Sequence, residues 1–104
     1  MTISDFTDNY TAAFSKAFAG IEAFEGTTQI SYSEAINKCV ELVLKAQAAN
    51  KKIMFAGNGG SAGITSHMAI DFLNNGKVKA TAFNDSSFLT CLANDLSFEH
   101  VFSA

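Results

Sequence analysis

The sequence predicts an α/β chain in which two leading helices precede one strand–helix–strand unit. Short apolar stretches at 53–56 and 79–83 flank a helical pattern over 62–73, and a unit of this kind pairs its two strands in parallel. Upstream, apolar side chains recur at steps of three and four, which is typical of amphipathic helices. We therefore divide the chain into a helical pair, residues 1–50, and the first part of an α/β domain, residues 51–104.

The first helix is expected over residues 4–24, because aromatic and apolar side chains repeat there with the helical period. The stripe consists of Phe6, Tyr10, Phe14, Phe18, Ile21 and Phe24. We expect this stripe to pack against another helix or subunit rather than to hold a ligand. Residues 26–29 are predicted to be a connector.

The second helix has clear signals at both ends. Ser31 and Glu34 have the spacing of a capping box, in which each side chain bonds the other residue's backbone N–H. The helical pattern continues to Ala49, and Asn50 is suited to the left-handed conformation that ends many helices. A helix over 31–49 follows from these signals.

The last twenty residues predict a further helix and a turn. Asp85 stands where a helix cap is expected, and the helix should run to about Leu92. Asn94 and Asp95 are predicted to open a turn, and a new helical pattern begins at 98–102.

Charge and composition exclude several classes of protein. Seven Lys and Arg against ten Asp and Glu give a net charge of −3, and the cations are scattered along the sequence, so nucleic acid is not expected as a partner. No apolar run approaches the ~20 residues that span a bilayer, and no secretory signal is present, so no membrane association is expected. We expect a cytoplasmic protein in which Cys39 and Cys91 are buried free thiols.

The strand–helix–strand unit is too small to stand alone. Two parallel strands leave both edges of the sheet open, and parallel sheets are normally larger and covered on both faces. The helical pattern also continues to Ala104 without a stop signal. We therefore expect these 104 residues to be part of a larger domain.

A glycine loop, Gly57-Asn58-Gly59-Gly60-Ser61, connects the first strand to its helix. A helix that begins at such a loop directs backbone N–H groups and a positive dipole end at an anion, so the loop predicts a small-anion or sugar-phosphate site. Two alternatives remain at this point. With Ala62 the loop also fits a loose dinucleotide-binding pattern, and a tight turn without any ligand would need the same glycines.

His67 and Asp71 are four residues apart in the predicted helix that follows, hence on one face. Imidazole nitrogen and carboxylate oxygen are both accepted zinc ligands, so the pair could share one metal ion. The residues alone equally allow a structural histidine and a solvated carboxylate.

Two ordered motifs resemble signatures of the sugar-isomerase (SIS) family, and more narrowly its phosphoheptose isomerase branch. The first is the loop Ala56–Ala62 with His67 following it, and the second is the segment Leu92–Phe102 around Asn94-Asp95. Both lie behind two N-terminal helices, as they do in that branch, and the resemblance covers nearly the whole chain.

The resemblance implies a three-layer αβα sandwich with a parallel, flavodoxin-like sheet, of which this chain would be the N-terminal portion. It implies a homotetramer that isomerises sedoheptulose 7-phosphate to a heptose 7-phosphate for surface glycans. Carried over by position, the substrate would contact Asn58, Gly59, Gly60, Ser61, Asn94 and Asp95. His67 would be a zinc ligand, and Asp71 falls where the family has a glutamate that binds metal and transfers a proton.

Three departures qualify the resemblance, the first being a connector from Leu73 to Ala80 that is shorter than the branch usually carries. Asp71 is one methylene shorter than the family's glutamate, which withdraws the carboxylate by ~1.5 Å, and proton transfer depends on such distances. The family's phosphate loop and its later Gln and His would lie beyond Ala104, so we expect the chain to be inactive alone. A non-catalytic SIS adaptor is the main alternative function, and dinucleotide binding is a further one.

Overall fold

A computed structural model describes residues 1–104, which form two compact units, 1–40 and 41–104. The elements in chain order are α1 (Ile3–Ala19), β1 (Ala23–Glu25), β2 (Thr28–Ile30), α2 (Tyr32–Ala48), β3 (Lys52–Phe55), α3 (Gly60–Asn74), β4 (Lys79–Ala82), α4 (Ser86–Asp95) and a short 3₁₀ turn (Phe98–His100). The division between the units falls within the sequence of α2, and the predicted domain division at residue 50 stays a prediction. None of the helices combines the length and the apolar character that crossing a membrane requires.

Helix α1 is shorter than the sequence predicts, and a hairpin follows it. The helix ends at Ala19, with Gly20 as its cap, so Ile21 and Phe24 do not continue the helical stripe. Instead β1 pairs antiparallel with β2 through a two-residue connection. Its first residue, Gly26, has φ +60°, which suits the tight hairpin turns that place glycine first. The helix predicted over 4–24 and the connector over 26–29 are therefore wrong.

Both predicted ends of α2 are confirmed. The Ser31 backbone N–H donates to the Glu34 carboxylate (2.9 Å), and the Glu34 backbone N–H donates to the Ser31 hydroxyl (3.2 Å). Asn50 has φ +56°, and the N–H of Lys51 reaches back to the carbonyl of Ala46 (2.8 Å). That long backward bond satisfies a carbonyl at the helix end that would otherwise be unpaired.

The predicted parallel pair is confirmed in the second unit. Strands β3 and β4 pair in parallel, with Ile53 opposite Ala80, and α3 crosses between them. Helix α3 covers one face of the pair, where the rings of Phe55 and Phe72 lie 5.5 Å apart. The buried apolar residues are few, and all belong to this unit: Ala69, Val78 and Val101.

Three local predictions need correction. Helix α3 begins at Gly60 rather than at 62, so the end of the glycine loop forms its first turn. Helix α4 continues through Asp95, so Asn94 and Asp95 end a helix instead of opening a turn. Cys39 and Cys91 are exposed, because the helix faces that carry them are not covered within this chain.

The cap of α2 predicts a measurable pH dependence. The Ser31 backbone N–H, and secondly its hydroxyl, hold the pKa of the Glu34 carboxyl below its ordinary value. Because the folded pKa is lowered, the cap's contribution is present above the unfolded pKa and is lost as pH falls through the folded pKa. Ser31→Ala should therefore raise the Glu34 pKa, as measured by NMR titration of the side-chain carboxyl.

The other capping box is the matched control. At the start of α1, hydrogen bonds from Thr2 lower the pKa of the Asp5 carboxyl in the same way. Thr2→Ala should raise the Asp5 pKa and leave that of Glu34 unchanged. A Glu34 pKa that ignored the loss of the Ser31 hydroxyl would contradict this account of the cap.

Candidate functional site

The site is built on the turn from β3 into α3, where two parts of the backbone approach closely. A Cβ atom added at Gly57 would lie 2.5 Å from the carbonyl oxygen of Ser61 and 2.9 Å from the nitrogen of Ala62. No side chain fits at such distances. Glycine at 57 is therefore what lets the chain leave the strand and enter the helix within so few residues.

The Ser61 side chain closes this loop. Its hydroxyl accepts the backbone N–H of Asn58 (2.8 Å) and donates to the Asn58 carbonyl (2.7 Å). The resemblance implies that Ser61 contacts the substrate, which stays a prediction. In the structure its hydroxyl holds the loop, which orients the neighbouring donors.

The donors available at the loop are backbone N–H groups at the start of α3. Gly59 precedes the helix with φ +61°, and no side chain caps this end. The N–H groups of Gly59 and Gly60 have no acceptor within the chain. A Cβ added at Gly60 would meet nothing within 4 Å, so the loop is open to solvent here. Such a helix start can bind an anionic group.

Asn84, which is not among the predicted site residues, ties β4 to the same helix. It follows β4, and its amide donates to the Ala62 carbonyl (2.8 Å) and to the Ser66 hydroxyl (2.6 Å). The carboxyl ends of parallel strands meet at one edge of a sheet. A polar residue that follows β4 is therefore the feature of the sequence that indicates this contact.

The predicted polar pair lies on one face of α3. His67 Nε2 is 3.4 Å from Asp71 Oδ2, and the two side chains are 76% and 39% exposed. Two ligands of a tetrahedral zinc ion lie about 3.4 Å apart, so the pair has a separation that one zinc ion could bridge. The chain contains no group of three or more His, Cys, Asp or Glu side chains that could hold a metal ion. His67 and Asp71 therefore fit zinc as two ligands of a larger set.

Asn94 and Asp95 lie in the last turn of α4, and their side-chain hydrogen bonds stay within that helix. Asn94 donates to Asp95 (3.2 Å), and the Cys91 thiol donates to the other oxygen of Asp95 (3.4 Å). The hydrogen bond to this carboxylate, and its negative charge, raise the pKa of the Cys91 thiol. Neither side chain bonds to the glycine loop, and their predicted substrate contact stays a prediction.

Comparison with known proteins shows which proteins this chain is similar to. No protein-family model matches the chain. The phosphoheptose isomerase of Shewanella denitrificans is 37% identical over 76 residues, covering 67% of this chain and 39% of that protein. The phosphoheptose isomerase of Clostridium acetobutylicum is 34% identical over 77 residues, covering 68% of this chain and 39% of that protein. This chain is a relative of the phosphoheptose isomerases.

A solved phosphoheptose isomerase supports the same relationship in three dimensions. The structure of GmhA from Neisseria gonorrhoeae matches with a TM-score of 0.62 and 30% identity, covering 94% of this chain and 51% of that one. The predicted resemblance to phosphoheptose isomerases and the predicted α/β class are thereby confirmed. The chain spans about two fifths of the length of the curated relatives and half of the solved structure.

Proposed function

We propose that this chain forms part of a cytoplasmic phosphoheptose isomerase. The reaction would convert sedoheptulose 7-phosphate to D-glycero-D-manno-heptose 7-phosphate, for lipopolysaccharide or capsule. The observation that carries the proposal is the sequence similarity to phosphoheptose isomerases. The protein from Shewanella denitrificans, for example, is 37% identical to this chain over 76 residues. The open glycine loop is a site at which an anionic sugar could bind, which supports the same proposal.

The loop would bind and orient the substrate. The N–H groups of Gly59 and Gly60 are unpaired and exposed, so they can donate to phosphate or hydroxyl oxygens. Ser61 holds them in place through its two bonds to Asn58, and the Asn58 side chain is free to reach the sugar. Asn94 and Asp95 are proposed as further substrate ligands, because amide and carboxylate groups bind sugar hydroxyls well.

Zinc is proposed as the cofactor, with His67 and Asp71 among its ligands. A bound zinc ion would polarise the substrate carbonyl and so favour the enediolate. The 3.4 Å separation of the two side chains supports their sharing one ion. Asp71 is also the proposed base, which must reach a carbon-bound proton next to that carbonyl. With only these two ligands in place, the 104-residue chain alone is proposed to be inactive.

The two histidines provide a matched test in the full-length protein. His67→Ala should remove bound zinc, measured by elemental analysis, and lower isomerase turnover roughly a hundredfold or more. His100, in the short 3₁₀ turn, has no proposed role, so His100→Ala should leave both unchanged. Asp71→Asn should abolish proton transfer, whereas Asp71→Glu should retain it.

The same measurements separate the rival functions. A full-length protein without zinc or isomerase activity, and indifferent to His67→Ala, would be the non-catalytic adaptor. Stabilisation by NAD but not by sugar phosphates would indicate dinucleotide binding. Either result would overturn the proposed isomerase.

We further propose that the protein is a homotetramer assembled partly through α1. Four aromatic side chains form a ladder along this helix, with ring separations from 4.9 to 6.3 Å. The ladder consists of Phe6, Tyr10, Phe14 and Phe18, which are 56–63% exposed. Exposed apolar surfaces of this extent mark interaction sites.

Light scattering on the full-length protein tests this assembly. Phe14→Ser should reduce the mass per particle, because it places a polar group in the middle of the ladder. Ala12→Ser, about half a turn away on the same helix, should not. A monomeric wild-type protein, or an unchanged particle mass for Phe14→Ser, would refute an interface at α1.

A further inference from the structure

The chain's cations are scattered in the sequence but not in space. Four of its seven Lys and Arg residues lie at the amino ends of β3 and β4 or just before them. We call Lys51, Lys52, Lys77 and Lys79 the lysine edge. The parallel register places Lys52 directly beside Lys79, although 26 residues separate them in the sequence.

Lys52 and Lys79 share one face of the sheet. Side chains alternate along a strand, and Phe55 faces α3, so Lys52 and Met54 point to the opposite face. Paired residues of neighbouring strands point the same way, which brings Lys79 to that face as well. Like charges placed side by side in a sheet are unfavourable unless an anion lies near them.

No carboxylate of the chain supplies that anion. The ion pair of Lys38 with Glu25 does not involve the lysine edge, and neither does the contact between His67 and Asp71. The carboxyl ends of α2 and α3 carry a partial negative charge. This charge stabilises the ammonium groups of Lys51 and Lys77, which follow the two helices. Lys52 and Lys79 belong to the strands, and the helix ends do not explain why these two positive charges lie side by side.

The backbone of the lysine edge is held in place. The Gln47 amide donates to the carbonyls of Gly76 (3.4 Å) and Lys77 (3.2 Å). Val78 is buried, and its N–H donates to the Phe72 carbonyl (2.9 Å). The backbone of the segment that leads into β4 is therefore fixed, so ordering it adds no entropy cost to binding.

An open cleft of about 420 Å³ lies beside three of the four lysines. It is lined by Asn50, Lys51, Lys52, Met54 and Lys79. Met54 is 62% exposed and places an apolar surface directly beside the charges. The cleft thus combines ammonium donors with one apolar contact.

We propose that the lysine edge binds an acidic peptide segment of a partner protein. Glutamate or aspartate carboxylates would lie on Lys52 and Lys79, and an apolar side chain of the same segment would cover Met54. A peptide fits better than nucleic acid, because the cleft has no arginine for base recognition and no aromatic ring for base stacking. This surface is at the amino ends of the strands, whereas the glycine loop is at their carboxyl ends, so it goes beyond the isomerase function.

A labelled peptide tests the proposal on the full chain. The probe is fluorescein-tagged Glu-Glu-Leu-Glu-Glu, and binding is followed by fluorescence anisotropy at low and high salt. The double variant Lys52→Gln/Lys79→Gln should bind roughly 2- to 30-fold more weakly, the range for two exposed charge pairs. Salt should weaken binding to the unaltered chain in the same direction.

Lys16→Gln/Lys45→Gln is the matched control, since it makes the same change in net charge and neither residue lines the cleft. This variant should keep its affinity, and circular dichroism should show both variants folded. Equal losses in the two variants would mean a net-charge effect and would overturn the proposal. So would equal binding of a Gln-Gln-Leu-Gln-Gln peptide, or tighter binding of a 20-base-pair DNA duplex or of tripolyphosphate.

Discussion

The close backbone approach at Gly57 is the constraint on which the candidate site depends. With the Ser61 carbonyl oxygen 2.5 Å from where a Cβ would stand, the loop closes only around a glycine. That closure starts α3 at Gly60 and leaves the adjoining N–H groups free. The position of His67 and Asp71 follows, because a helix fixes the direction of every later side chain once its first turn is set.

Two side-chain amides complete what the glycine loop begins. Asn84 joins the end of β4 to the first turns of α3, and Gln47 joins the end of α2 to the connector before β4. Gln47 acts at the amino ends of the strands and Asn84 at their carboxyl ends, so the connecting segments are fixed at both ends of the strand pair. The chain is similar in sequence to phosphoheptose isomerases, and the two proposed zinc ligands, His67 and Asp71, lie on α3, the helix between the two strands.

Local chemistry made much of this predictable from sequence. The Ser31–Glu34 cap, the left-handed Asn50 and the strand pair around α3 each depend on a few neighbouring residues, and each is confirmed. The β1–β2 hairpin was missed because Ile21 and Phe24 keep the helical spacing of α1, which concealed the stop at Gly20. The contacts of Asn84 and the pairing of Lys52 with Lys79 depend on strand register, which spacing in the sequence does not reveal.

The stability of two glycine variants tests most directly whether the close approach of Gly57 to the Ser61 carbonyl determines the conformation of the loop. Gly57→Ala should lower the free energy of unfolding by about 1–3 kcal/mol, because the added methyl group cannot be placed without moving backbone. Gly60→Ala, three residues away in open space, should be neutral or slightly stabilising. Denaturant unfolding of the two variants gives the comparison. Equal stabilities for Gly57→Ala and Gly60→Ala would contradict the central role given to this contact.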